Sequence, residues 1–325
     1  MATIKDVAEY TGLSVTTVSR VLNERGYISQ DTKNKVYEAM RKLNYQPNEV
    51  ARSLSKQHSN TIGVIVPHIK HPYFAEVISN LEHHAYINKY KILLFNSQEK
   101  SVRLREYMEA CASNRVAGII LCSGKVSVED FRYLQAPVIT FERYLEQGTA
   151  SVECDNYLGG KLAAEHLIQR GCKNLLSFSG VIDNVMPADS RETGFCDVCK
   201  ENNVKCTVGR TSLMQYNEMK YYDWIEQMLI ENPHVDGIFA GSDVIAAQII
   251  QVCRKLGRRI PEDIKIIGFD DVNISMLTSP TITTIHQPIY EMADIAIKLI
   301  VDAHKQKVVP KRTILPVTLV VREST

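Results

Sequence analysis

The sequence predicts an all-α helix-turn-helix head, a short hinge helix and an α/β core folded as two lobes. Three observations predict this. Residues 1–46 carry three short helical patterns, each opened by a capping residue, with Thr11-Gly12-Leu13 between the first two. Pro47–Leu54 then has room for only about two helical turns, below the roughly 12–15 residues at which an isolated helix holds in water. From Thr61 onward, short apolar runs alternate with amphipathic stretches. That alternation marks doubly wound parallel sheets, and its more than roughly ten strand–helix steps are too many for one compact sheet.

In the head, Thr3-Ile4-Lys5-Asp6 has capping-box spacing, and Ile4, Val7 and Ala8 form the first apolar stripe. Gly12 supplies the positive φ of a tight turn. Ser14 caps a second helix with Val18, Val21 and Leu22 inward. Ser29 opens a third with Val36, Met40 and Leu43 inward. The outward side of the second helix carries Val15, Thr16, Thr17, Ser19 and Arg20, which are small, hydroxylated or cationic. Such a face can approach base edges in the major groove, with Arg gripping guanine. Thr and Ser also suit a plain solvated face, but Thr is a mediocre helix former and asks for a further reason. With the cap Ser14, these residues are the candidate DNA-reading set.

In Pro47–Leu54, Asn48 is a suitable N-cap and Val50 and Leu54 share one face. Alone, the octet fits an ordinary capped linker as well as a switch between two domains.

The core strands expected are Ile62–Val66, Ile92–Phe95, Gly118–Cys122, Val138–Phe141, Leu175–Phe178, Gly237–Ala240 and Ile264–Phe269. Helices expected between them include Phe74–Asn88, Leu158–Arg170, Tyr222–Glu231 and Val244–Gly257. In open α/β sheets, ligands sit off the carboxyl ends of strands. That rule selects Tyr73 and Phe74, Glu142 and Arg143, Ser179 and Gly180, Ser242 and Asp243, and Asp270. Groups of both signs with a few aromatics suit a sugar, whereas an anion would want more cations.

Composition sets the outer bounds. The chain has 325 residues, 45% apolar and 23% charged, as expected of a globular protein of more than one domain. Its net charge is +1, but residues 1–58 hold nine Lys/Arg against six Asp/Glu, so this segment is +3 and the remainder −2. The asymmetry agrees with a nucleic-acid-binding head. All eight cysteines follow residue 110, and Cys196-Asp197-Val198-Cys199 is a lone CxxC. No secretory h-region and no run of about 18 apolar residues is present, so a cytoplasmic protein with free thiols and no membrane span is expected.

Metal and enzyme motifs are wanting. His68, His71, His83 and His84 lack Cys, Asp or Glu at motif spacing and read as loop and surface histidines. Gly159-Gly160-Lys161-Leu162 lacks the spacing and hydroxyl of a phosphate loop. No catalytic residue, metal or cofactor is expected.

Taken together, Ile4-Lys5-Asp6-Val7-Ala8, Gly12 to Asn23, Asn44-Tyr45-Gln46-Pro47-Asn48 and Ala51-Arg52-Ser53-Leu54 resemble the head and hinge of the LacI/GalR family of bacterial transcription regulators. The resemblance implies a homodimer on double-stranded, pseudo-palindromic operator DNA. It places Val15, Thr16 and Arg20 among the base readers and Ala51 and Leu54 in the hinge, with Leu54 as a wedge in the minor groove, where an apolar side chain can kink a base step. It implies a periplasmic-binding-protein-like (type I) core that binds a sugar or sugar-phosphate effector. The domains it implies are a head at 1–46, a hinge at 47–59 and a core at 60–325, with lobe 1 about 60–157 and 288–318, lobe 2 about 158–287 and 319–325, and a final strand pair around Arg312–Leu315 and Val317–Val321 crossing back over the cleft.

Asp155, Arg191 and Asp270 match the family's effector positions; Tyr73, Phe74, Arg143, Tyr216 and Ser242 match less tightly. Asp243 and Asp271 read instead as helix caps. Phe74-Ala75-Glu76-Val77-Ile78, Thr140-Phe141-Glu142-Arg143, Asp155-Asn156-Tyr157 and Leu315-Pro316-Val317-Thr318-Leu319 lean towards the sucrose-operon repressors, although those usually carry Asp where Glu142 stands. A purine-type or catabolite-control regulator, or a sugar-binding protein without a regulatory role, are the alternatives.

Overall fold

The computed structural model describes residues 2–23, 26–46, 59–98, 100–122, 131, 134–181 and 188–325, in two compact units, Met1–Ser59 and Asn60–Thr325. The expected hinge at Pro47–Leu54, with Ala51 and Leu54, lies outside the described residues.

The first unit contains α1 (Ile4–Thr11), α2 (Val15–Leu22) and α3 (Gln30–Lys42). Each begins at the hydroxyl that the sequence marks. Thr3 and Asp6 form a reciprocal capping box, Thr17 N donates to Ser14 Oγ at 3.1 Å, and Thr32 N donates to Ser29 Oγ at 3.3 Å. Gly12, at φ +66°, ends α1 and turns the chain into α2. Val7, Ala8, Val18, Val21, Val36 and Ala39 form a small closed core, rimmed by half-buried Leu22, Met40 and Leu43. The three stripes thus meet as their helical spacing requires.

The second unit runs β1 (Thr61–Val66), α4 (Pro72–Ile87), β2 (Lys91–Asn96), α5 (Ser101–Ser113), β3 (Gly118–Leu121), β4 (Val138–Phe141), β5 (Ala150–Cys154), α6 (Asn156–Gln169), β6 (Asn174–Val181) and α7 (Asp189–Glu201). It continues β7 (Lys205–Thr211), α8 (Leu213–Glu218), α9 (Tyr222–Glu231), β8 (Gly237–Ala240), α10 (Asp243–Lys255), β9 (Lys265–Asp270) and α11 (Ile274–Leu277). The last elements are β10 (Thr283–His286), α12 (Ile289–His304), β11 (Arg312–Leu315) and β12 (Thr318–Val320). Two six-stranded sheets result, ordered β11-β5-β4-β3-β1-β2 and β12-β10-β9-β8-β6-β7. Their pairings are parallel except that of β12 with β10.

The chain passes between the sheets after β5, after β10 and between β11 and β12. Helix α12 accordingly returns to pack on α4, β4 and β5 of the first sheet. In each sheet one strand, β1 or β6, has its sequence neighbour on one side and a later strand on the other. A crevice opens at such a reversal of strand order, off the carboxyl ends.

Strands β5, β7 and β10 add to those expected, and their sequences explain why apolar runs do not reveal them. In β5, Ser151 and Glu153 are buried, with Ser151 Oγ donating to Glu153 and Arg312 donating to both Glu153 oxygens at 3.0 and 2.7 Å. In β10, buried Thr284 donates to Asp243 at 2.6 Å. Edge strand β7 keeps much of its surface exposed. Buried polar groups with partners of this kind are compatible with a core.

Gly159 and Gly160 lie inside α6, where it crosses α7. A Cβ on Gly160 would sit 1.9 Å from Arg191 O, and one on Gly194 would sit 2.1 Å from Tyr157 O. The two helix backbones touch, and no larger residue fits without moving one of them. This contact holds the first turn of α7, and hence Arg191, at a fixed height over the second sheet.

Candidate functional site

A cavity lies between the two sheets of the second unit. From the first sheet's side it is lined by His71, Tyr73 and Phe74 after β1, by Cys122 after β3, and by Glu142 and Arg143 after β4. From the second it is lined by Ser179, Gly180 and Val181 of β6, by Asp189 and Arg191 of α7 and by Thr211 at the end of β7. Tyr216, Tyr221, Gly241, Ser242, Ile245 and Asp270 complete that side. Nearly every contributor stands just beyond the carboxyl end of a strand.

Arg191 organises the floor. Its Nε donates to Asn156 Oδ1 at 2.6 Å, its Nη1 donates to the Gly241 carbonyl at 2.8 Å, and its guanidinium carbon lies 3.5 Å from the centre of the Phe269 ring. The planar group is thus fixed on three sides. It stands 3.9 Å from Asp270 Oδ1 and 3.9 Å from Glu142 Oε2, beyond direct hydrogen-bond reach of either. Glu142 is pinned instead by Cys154 N, which donates to Oε1, and by Asn156 Nδ2, which donates to Oε2 at 3.0 Å. Asp270 Oδ1 accepts from Gln287 Nε2 at 2.7 Å.

Burial dominates the electrostatics. It raises the Asp270 carboxyl to about 7 against the opposing pull of Arg191 and Gln287, and it raises Glu142 despite Arg191. Burial likewise lowers His71 to about 4, with His68 adding repulsion, so His71 is a neutral imidazole. Its Nδ1 accepts from Tyr73 N and caps α4. Glu142 and Asp270 also have positive φ, +54° and +107°, which L-residues adopt only where surroundings impose it. Backbone strain and two raised carboxyls therefore coincide in one cleft, a combination typical of functional sites.

The sides also meet directly. His68 Nε2 lies 3.0 Å from Asn217 Oδ1, and the His68 ring packs edge-on against Tyr216 at 5.5 Å.

Of the expected effector residues, Tyr73, Phe74, Arg143, Arg191, Tyr216, Ser242 and Asp270 line this cavity. Asp155 does not. It is the N-cap of α6, accepting from Leu158 N at 2.9 Å, so its carboxylate serves the helix end. Ser242 does both, lining the cavity while capping α10 through Ile245 N.

Asp243 and Asp271 are not the caps expected of them. Asp243, fully buried, accepts from Val272 N and Thr284, tying α10 to β10, and burial beside Asp270 raises its carboxyl well above the usual range. Asp271 accepts from Arg322 at 2.5 Å and lies 2.9 Å from His286 Nδ1. His68 and His71 stand in the loop between β1 and α4 and His83 is exposed, as expected, although the two loop histidines are buried; His84, buried within α4, is neither a loop nor a surface histidine. Cys196 faces Cys206 of β7, Sγ to Sγ 3.6 Å, rather than its CxxC neighbour, and that contact together with burial pushes its thiol up.

Cys122, Thr211 and Tyr221 also line the cleft without having been singled out from the sequence, and so does His71, which the sequence marks only as a loop or surface histidine. The strand-end rule would have found Cys122 and Thr211, the latter once β7 was known. Nothing local marks Tyr221.

On the head, Ser14, Val15, Thr16 and Arg20 are exposed. Thr17 and Ser19 are partly spent within the helix: Thr17 Oγ1 pairs with Ser14 Oγ at 2.9 Å, and Asn23 donates to both Ser19 O and Ser19 Oγ. No helix of the described residues is long and apolar enough to cross a membrane.

Residues 3–48 match the bacterial regulatory proteins of the lacI family, and residues 164–325 match the periplasmic binding protein-like domain. The chain is 36% identical to the ribose operon repressor of Halalkalibacterium halodurans, over all of this chain and 97% of that one. It is 35% identical to the sucrose operon repressor of Streptococcus mutans, over all of this chain and 99% of that one. Among solved structures, it resembles a periplasmic binding protein/LacI transcriptional regulator from Alkaliphilus metalliredigens complexed with D-xylulofuranose, with 30% identity, 82% of this chain and 99% of that one covered, and a TM-score of 0.72. The fold also matches the Lac repressor dimer bound to operator and the anti-inducer ONPF, at 24% identity, 99% and 98% coverage and a TM-score of 0.85. With its capped helix-turn-helix head and two-lobed core, the chain belongs to the lacI family of bacterial regulatory proteins, and it is a DNA-binding transcriptional repressor rather than an enzyme.

Proposed function

We propose that the protein represses a carbohydrate-utilisation operon, and that a sugar or sugar phosphate in the cleft controls its affinity for the operator. The observation that carries this reading is the cleft itself. A fixed guanidinium lies between two buried carboxyls, and Tyr73, Phe74 and Tyr216 add aromatic surface. Hydroxyls can bridge the charged groups while rings cover the apolar face of a sugar. Relatives named for ribose and for sucrose support the class, and their near-equal identities leave the sucrose lean of the sequence as one option beside ribose.

Arg191, Asp270, Tyr73, Phe74, Arg143, Tyr216 and Ser242 are the effector contacts in this reading. Val15, Thr16 and Arg20, with Ser14, Thr17 and Ser19 beside them, form the operator-reading face. A homodimer would set two heads in successive major grooves, with Ala51 and Leu54 of each hinge in the minor groove between them. Effector binding biases closed against open cleft by its differential affinity for the two states, and the lobes transmit that bias to the hinges.

An electrophoretic mobility shift with the protein's own promoter DNA, with and without a panel of sugars, tests the reading. Sequence-specific binding that at least one sugar strengthens or weakens is the expected result. Failure to bind promoter DNA, or indifference of the bound complex to every sugar, refutes it.

A further inference from the structure

We propose that the effector is a neutral sugar and that the cleft rejects the phosphorylated form of the same ring. This deepens the effector reading above and rests on it. Arg191 is the central cation, and its charge is already divided between Glu142 and Asp270, each 3.9 Å away. Two of its donors are committed to Asn156 and Gly241. The described lining otherwise adds one charge of each sign, Arg143 and Asp189. Three carboxyls against two guanidiniums leave a formal charge of −1. His71 contributes none, since burial holds its imidazole neutral. A phosphate dianion at the centre would meet Glu142 and Asp270 beside the single Arg191, where burial already disfavours the two negative charges present.

A hydroxyl meets the opposite situation. It can accept from the guanidinium and donate to a carboxylate at once, and the 3.9 Å separations are too long for the protein groups to satisfy each other directly. A second observation points to the same place. The Tyr73 hydroxyl is buried, on a residue only 7% exposed, and has no hydrogen-bond partner among the described residues. Tyr73 lines the cavity, and Glu142 and Asp270 are close enough to add to the effect of burial in raising its phenol far above the ordinary range. A buried phenol without a partner is unfavourable and marks a place where a ligand atom belongs. Tyr73 and Arg191 thus bring donors, and Glu142 and Asp270 acceptors, to one cavity, which is what a ring of hydroxyls needs.

The test uses the full chain, with titration calorimetry on matched pairs: pentoses, hexoses and disaccharides, each beside its monophosphate. At least one neutral member should bind, with its phosphate at least about thirtyfold weaker, as like-charge juxtaposition demands. Tyr73→Phe should weaken the neutral sugar about three- to tenfold, the range of one hydrogen bond. Glu142→Gln combined with Asp270→Asn should narrow the gap between the members of a pair. A phosphate that binds as tightly as its parent sugar, or more tightly, overturns the neutral class and leaves the sugar reading standing. Binding by no member of any pair, in protein that still shifts promoter DNA, overturns the sugar reading and the class together.

Discussion

His68 after β1 and Asn217 of α8 meet across the cleft, with His68 Nε2 3.0 Å from Asn217 Oδ1. They are 149 residues apart in sequence and belong to the sides built on different sheets. Parting the two sides would break this contact, so it should act on how long a ligand stays. His68→Ala is expected to speed effector dissociation about three- to tenfold, the worth of one hydrogen bond, with a smaller effect on association. Asn217→Ala should do the same, and the double variant should add little. Stopped-flow fluorescence of Trp224, the chain's single tryptophan, reads the rate; an unchanged rate in both variants would remove the latch.

Asp270 links stability to pH. Its carboxyl stands near 7 in the folded protein against 3.8 for an exposed aspartate. Between these values the folded state holds a proton that the unfolded chain has released, so stability is full below the lower value and declines as pH rises through the higher one. Asp270→Asn should therefore raise Tm by about 2–4 °C at pH 7.5, with the gain shrinking towards pH 4. Operator binding should persist while the effector binds more weakly. Calorimetric melts across the range check the sign, and a lower Tm at pH 7.5 contradicts it.

Arg191 compensates two buried acids at once, so removing it should cost more than an ordinary side-chain truncation. Arg191→Ala is expected to destabilise the core by about 3 kcal/mol, the scale of a broken buried ion pair, and to abolish effector binding. Arg191→Lys should recover little of either, because an ammonium cannot serve Asn156, Gly241 and the two carboxyls together. Urea denaturation and calorimetry separate the two losses.

The helix crossing makes a steric prediction. A methyl group on Gly160 would stand only 1.9 Å from Arg191 O, so Gly160→Ala must push α7 away from α6. A loss of about 2–4 kcal/mol is expected, with weaker effector binding because Arg191 moves too. Circular dichroism melts check the first, and wild-type stability would mean that the two helices separate at little cost.

On the head, Arg20→Ala should weaken operator binding about ten- to a hundredfold, the worth of one bidentate base contact. Ser19→Ala should matter less, since its hydroxyl is already engaged by Asn23. Fluorescence anisotropy at several salt concentrations distinguishes a lost base contact from a lost phosphate contact, because only the latter flattens the salt slope.

The head was legible almost residue by residue, because short helices announce themselves through caps: Thr3, Ser14 and Ser29 all occupy the positions their spacing demands. The sheets were legible where strands are apolar and obscure where they are not, as with β5 and β10, whose buried Glu153 and Thr284 are satisfied by Arg312 and Asp243 from distant sequence. The cleft followed from the strand-end rule, which sees chain direction but not side-chain partners. It therefore found Asp270 and Ser242, while the resemblance assigned Asp155 to a ligand when the residue serves a helix end. His68 escaped for the same reason, since its meaning lies in Asn217.

The three passages of the chain between the sheets carry a mechanical consequence. Two bodies joined at three nearby points keep one soft motion, rotation about the line through the joints, while sliding and pulling apart stretch covalent backbone. Only Pro316 and Val317 separate β11 from β12, so the last of the three joints has almost no slack. A ligand that closes this cleft therefore produces an angle, not a collection of local shifts. Whatever is attached to the first sheet through β1 receives that angle as a lever arm does, with a displacement that grows with distance from the axis.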